Sequence, residues 1–131
     1  MKNILLRVEM SGLPPTVNQM YRTGRYGNRY KRPEVVEWQT ETARVIREAW
    51  NCPLPYVGEV EVRVKFRVKG NRRWDIDNRL KALFDSLERG GAIKDDAQIS
   101  GIIAERLPGE ESATVIEMMK YTGYREESEK E

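Results

Sequence analysis

The sequence predicts a small single α/β domain, a mixed β-sheet packed with two helices in the order β-α-β-α-β-β. Three observations carry that expectation. Residues 57–69 give the clearest strand: Val60, Val62, Val64, Phe66 and Val68 alternate with Glu61, Arg63, Lys65, Arg67 and Lys69, one face apolar and one charged. Residues 34–50 and about 78–89 show the helical period instead. The length of 131 residues suits one core, which a chain of this size builds without disulfide or metal staples.

Taken in order, residues 3–10 (NILLRVEM) read as a first strand, ended by Gly12 and the Pro14-Pro15 pair. Residues 12–32 follow as a long loop. Pro33 stands where a helix start tolerates it, and Val35, Trp38, Thr42, Val45, Ile46 and Ala49 form the expected buried stripe of the first helix. The second helix places Leu80, Leu83, Phe84 and Leu87 on one face, with Gly90-Gly91 as its C-terminal cap. Two further strands, about 99–107 and 112–121, are joined by Pro108-Gly109-Glu110-Glu111, read as a hairpin turn.

Composition narrows the chemistry. There is no histidine, which removes Ser-His-Asp and Cys-His catalysis and nearly every ordinary zinc site. Carboxylates, lysine, arginine and tyrosine remain, and hydrolysis on such a set calls for a hard, oxygen-seeking cation such as Mg²⁺. The single cysteine, Cys52, excludes an internal disulfide and fits a reducing cytoplasm. No apolar run nears the ~18 residues of a membrane span, and Ile4-Leu5-Leu6 is too short for a secretory signal. A cytoplasmic protein without membrane association is the expectation.

The net charge of +2 conceals an asymmetry. Residues 1–74 carry 15 Lys and Arg against 7 Asp and Glu, whereas residues 75–131 carry 8 against 14. A basic half offers a polyanion footprint and an acidic half offers metal ligands, although both also suit solvated faces. Within the basic half, residues 21–32 (YRTGRYGNRYKR) hold Arg22, Arg25, Arg29, Lys31 and Arg32 with no acid, interleaved with Tyr21, Tyr26 and Tyr30. Guanidinium groups match phosphate oxygens, and tyrosines stack on exposed bases. Arg72 and Arg73 add positive charge just before Asp75.

The acidic half holds the candidate chemistry. Asp75 and Asp77 are two apart, so an extended backbone points both carboxylates to one side, and Lys81 follows one helical turn later. Beyond the helix stands Asp95-Asp96. Three carboxylates converging there would bind a divalent cation through hard oxygens. Plainer roles exist for each: Asp77 as a helix cap, Asp95-Asp96 as a turn, Lys81 as the i,i+4 partner of Asp77 or Asp85. An EF-hand is excluded, because Arg79, Leu80 and Ser86 occupy its third-ligand, glycine and bidentate-glutamate positions. Neither a P-loop nor a dinucleotide fingerprint occurs.

At three segments the chain resembles the RusA family of Holliday junction resolvases, small metal-dependent endonucleases of bacteria, prophages and phages. They are residues 13–22 (LPPTVNQMYR), residues 72–81 (RRWDIDNRLK) with Asp85, and residues 93–99 (IKDDAQI), within a similarity from about Gly12 to about Thr122. The resemblance implies an endonuclease domain over residues 1–122, and the charge run Glu126–Glu131 (EESEKE) marks residues 123–131 as an acidic, disordered tail. The resemblance also implies a homodimer that binds four-way DNA junctions and cuts two opposing strands with Mg²⁺ or Mn²⁺. Residue by residue, the family's metal-binding aspartates fall on Asp75, Asp77 and Asp96, and its functional lysine on Lys81. Trp74 stands where the family often continues an arginine run. The basic loop and the Arg72-Arg73 pair are the expected DNA contacts. Two other readings fit the same residues: a non-catalytic DNA-binding module, and a Mg²⁺-dependent nuclease for other branched or duplex DNA.

Overall fold

The computed structural model describes residues 4–27, 29–70 and 75–123. The expected acidic tail falls almost wholly outside them. Strand β1 (Ile4–Ser11) leads through a short helix α1 (Val17–Met20) into two three-residue strands, β2 (Tyr21–Thr23) and β3 (Arg29–Lys31). Helix α2 (Pro33–Trp50) and strand β4 (Val60–Lys69) follow. A 3₁₀ turn at Ile76–Arg79 opens helix α3 (Leu80–Arg89), and a second at Asp96–Gln98 opens β5 (Ile99–Gly109), before β6 (Ala113–Lys120) closes the fold.

The main sheet has the order β1-β6-β4-β5, with β4 parallel to β5 and the other pairs antiparallel. It is the mixed sheet expected, and α2 and α3 complete its core. The alternation in β4 decides the layering: Val60, Val62, Val64, Phe66 and Val68 are all buried, packed in one cluster with Leu6 and Val8 of β1, Ile116 and Met118 of β6, Ile46 of α2 and Leu83 and Leu87 of α3. β4 and β5 run parallel, so the chain must return between them, and α3 lies in that return.

Two expectations are corrected. The segment 12–32 is not a plain loop: β2 and β3 pair antiparallel, Tyr21 opposite Lys31 and Thr23 opposite Arg29, around a turn in which Gly27 takes φ +83° and donates to the Gly24 carbonyl. Glycine is the residue that reaches that conformation without strain. Strands β5 and β6 are not hairpin neighbours either. β4 lies between them, and the turn after Gly109 arches over its end, where Ser112 Oγ accepts the Lys69 N–H at 3.4 Å.

Packing of α2 on α3 shifts the expected buried stripe. Val35, Thr42 and Ile46 are buried and Trp38 and Val45 pack against the core, but Ala49 is exposed while Gln39 and Ala43 are buried. The face is rotated toward α3, where Gly90 allows close approach. A Cβ on Gly90 would lie 2.6 Å from Ile46 Cγ2 and 3.0 Å from the Ala43 carbonyl oxygen. The expected glycine cap of α3 is present: Gly91 is left-handed at φ +79°, its N–H bonds the Glu88 carbonyl, and the Ala92 N–H bonds that of Leu87.

Candidate active site

The Asp-x-Asp segment is anchored by its middle residue. Ile76 packs against the core while Asp75 and Asp77 on either side are exposed. Asp75 is extended (φ −72°, ψ 122°) and makes no side-chain cap bond, and Arg79 rather than Asp77 occupies the N-cap of α3. Neither carboxylate is therefore spent as a helix cap. A guanidinium N–H of Arg79 donates to the Pro14 carbonyl at 2.5 Å, tying this turn to the Leu13-Pro14-Pro15 segment.

Lys81, Asp85 and Glu88 stand at i, i+4 and i+7 on α3, one above another on the side away from buried Ala82, Leu83, Ser86 and Leu87. Lys81 Nζ lies 3.2 Å from Asp85 Oδ1 and 3.8 Å from Asp96 Oδ2. The plain i,i+4 role of Lys81 is thus real, and the same ammonium reaches the second acidic pair.

That pair sits in a turn whose backbone is held by side chains. Asp95 Oδ1 accepts the Ala97 N–H at 2.8 Å, and Gln98 Oε1 accepts the N–H groups of Lys94 and Asp95 at 2.8 and 3.1 Å, a capping box. Glu88 Oε1 accepts the Asp96 N–H at 2.9 Å. Asp95 is therefore the turn residue, and the Asp96 carboxylate is the one facing Lys81. Among the described residues, Glu88, Asp95 and Asp96 form a group whose carboxylate oxygens lie within 4.8 Å of one another. Asp75 and Asp77 stand outside it. Hard oxygens in such a set match Mg²⁺ or Mn²⁺ chemically, with no soft donor to favour another metal.

The basic segment forms the β2–β3 hairpin. Arg25, Tyr26 and Arg29 are exposed at its tip, Tyr26 by 90%. Arg22 lies in β2 opposite Tyr30. Lys31 turns inward, donating to Gln39 Oε1 at 3.0 Å. Desolvation lowers its pKa, as do the cations Arg89 and Lys81, against a raising pull from Asp85. The charges it feels, Lys81, Asp85 and Arg89, all stand on α3. Arg32, half-buried, joins Arg79, Trp38, Leu13 and Pro15 in lining a cavity of about 230 Å³. The expected contacts Arg72 and Arg73 lie outside the described residues, as does Trp74.

Sequence reasoning missed Glu88 and Gln98. A signal for each existed: Glu88 is seven residues beyond Lys81, and Asp95-x-x-Gln98 has capping-box spacing.

A small α/β domain that sets carboxylates and a lysine on one helix face, with an arginine-rich hairpin nearby, is built for hard-cation and polyanion chemistry. Residues 12–119 match the family model described as Endodeoxyribonuclease RusA, and the chain belongs to that family. It is 31% identical over 109 residues to the crossover junction endodeoxyribonuclease RusA of Escherichia coli K12, covering 80% of this chain and 89% of that protein. The enzyme of the same name from Aquifex aeolicus is 30% identical over 92 residues, 70% of this chain and 71% of its own length. That of Enterobacteria phage 82 is 30% identical over 109 residues, again 80% and 89%. No helix among the described residues is long and apolar enough to cross a membrane.

Proposed function

We propose that this chain is a cytoplasmic, metal-dependent endodeoxyribonuclease that resolves four-way DNA junctions as a homodimer, making paired strand cuts in recombination and repair. The observation that carries the reading is Lys81 Nζ at 3.8 Å from Asp96, inside the segment that matches the nuclease family. Asp75, Asp77 and Asp96 would hold Mg²⁺ or Mn²⁺. Glu88 and Asp95 accept backbone N–H groups, whereas Asp75 makes no side-chain cap bond and Arg79, not Asp77, is the N-cap of α3, which supports the two aspartates as ligands. A divalent cation bound there supplies Lewis acidity and charge neutralisation at the attacked phosphodiester.

The chain's own residues do the rest. Lys81, steadied by Asp85, presents an ammonium to a non-bridging phosphate oxygen, where negative charge grows during hydrolysis. Arg25 and Arg29 at the hairpin tip, with Arg22 and Lys31 in the same strand pair and Arg32 at the cavity, would follow the DNA backbone, and Arg72 and Arg73 would add contacts beside Asp75. Tyr26, exposed at the tip, offers a stacking face to an unpaired base. Resolution needs two cuts and the described residues of each chain offer one such site, so a two-fold dimer would match the symmetry of the junction.

The deciding experiment is competition. With Mg²⁺ present, the protein should cut a four-way junction while excess linear duplex barely slows it. Equal cutting of duplex would favour a general nuclease, and binding without cutting would favour a non-catalytic module.

A further inference from the structure

We propose that Gln98 is a positioning residue for Asp96, fastening the turn 94–98 to the entrance of β4 so that the Asp96 carboxylate is held beside Lys81. The inference rests on the metal-dependent reading above. A primary amide has two acceptor lone pairs and two N–H donors, and Gln98 uses all four. Its Oε1 accepts the Lys94 and Asp95 N–H groups at 2.8 and 3.1 Å, and its Nε2 donates to the carbonyls of Tyr56 and Gly58, both at 2.9 Å. Two N–H donors on one side and two carbonyls on the other fix which end of the amide is oxygen.

These bonds join two parts of the chain 40 residues apart. Glu88 takes the Asp96 N–H and Asp95 takes that of Ala97, so each N–H from Lys94 to Ala97 ends on a side chain. The carboxylate of Asp96 has no part in this fastening and projects toward Lys81. No other side chain replaces the amide: glutamate lacks the donors, lysine lacks the acceptors, and asparagine is one methylene short. Gln98 holds the backbone that leads into Asp96 rather than its carboxylate, and groups that orient a ligand from outside its own contacts tune its affinity.

The test uses the full chain, with Mn²⁺ as probe, in Gln98→Leu and Gln98→Glu. Mn²⁺ affinity is read by calorimetry without DNA, amide exchange at Lys94 and Asp95 by NMR, and junction affinity in Ca²⁺. Gln98→Leu should weaken Mn²⁺ binding about 10- to 100-fold, speed exchange at both amides, and leave junction affinity near wild type. Cleavage should show a lower kcat that excess Mn²⁺ restores, with KM little changed.

Gln98→Glu keeps the two accepted bonds but sets a carboxylate oxygen against two carbonyls. Its added charge by itself attracts a cation, so weaker Mn²⁺ binding there reports a displaced Asp96, and this variant judges the proposal if Gln98→Leu does not fold. Mn²⁺ affinity within about twofold of wild type in the folded variants would overturn the inference, because outer partners of a ligand ordinarily contribute more. Asp96→Asn separates the two levels. Full Mn²⁺ affinity in that variant defeats the metal reading itself, whereas a weakened Asp96→Asn beside normal Gln98 variants defeats the role of Gln98 alone.

Discussion

Lys81 reaches Asp96 at 3.8 Å across the gap between α3 and the turn that precedes β5, joining residues fifteen positions apart that no local pattern links. The first turn of α3 and the approach to β5 therefore form one charged surface. Lys81→Ala should lower kcat for junction cleavage about 10²- to 10³-fold, the usual loss on removing a preorganised donor. Junction binding should fall far less. Cleavage at the wild-type rate would leave Lys81 with only its pair to Asp85.

Asp77→Asn nearly preserves shape and removes a charge. It should abolish cutting with Mg²⁺ present, while junction binding survives or tightens because less negative charge faces the phosphates. Asp75→Asn and Asp96→Asn should behave alike in single-turnover assays. A variant of Asp77 that cuts normally would remove that residue from the site.

How legible was this in the sequence? β4 could be read outright, because strict alternation of Val and Phe with charged residues has one structural meaning. Asp75, Asp77, Lys81 and the Asp95-Asp96 pair stood out by residue type in a chain without histidine, and the family resemblance picked Asp96 from that pair. The β2–β3 hairpin did not, since three-residue strands of Tyr, Arg, Thr and Lys carry no apolar period. The place of β4 between β5 and β6 was hidden for another reason: a four-residue turn fits a hairpin and equally an arch over one strand. Glu88 and Gln98 act on backbone N–H groups, which composition does not reveal.

Salt dependence tests the hairpin. Every phosphate that the protein no longer neutralises should flatten the slope of log K against log salt by about 0.9 on duplex arms. Arg25→Ala with Arg29→Ala should weaken junction binding and flatten the slope by up to twice that amount. An unchanged slope would make the tip a solvated turn.

Lys31 supplies a pH signature. Burial and the neighbouring Arg89 and Lys81 favour its neutral amine, so it loses its proton below the ordinary lysine value. For the chain alone, its ammonium opposes folding at neutral pH, and that opposition fades as the pH rises through the lowered folded value and is gone above the unfolded value of about 10.4. For binding the sign is reversed, because phosphate needs the ammonium. The salt slope should shrink as the pH climbs toward the ordinary lysine value, and Lys31→Arg should abolish that change. The same shrinkage in both proteins would assign it to other groups.

Gly90→Ala probes the helix contact. Its backbone angles suit alanine, but the added methyl meets Ile46 and the Ala43 carbonyl, so overpacking should destabilise the fold by about 1–3 kcal/mol in thermal melts. An unchanged melting temperature would mean that α2 and α3 separate more easily than their packing implies.

The parallel pairing of β4 with β5 has a consequence in time. Asp75, Asp77 and Lys81 leave the ribosome well before Asp96, and the turn bearing Asp96 is secured only when Gln98 meets Tyr56 and Gly58 and β5 docks on β4. Such non-local pairing forms late, since loop closure precedes its reward. A chain that stalls before β5 is made carries the basic hairpin, while the turn bearing Asp96 has no docked β5 to hold it beside Lys81. On the proposed function, unfinished molecules would cling to DNA without cutting it, and completion of the sheet would arm the nuclease.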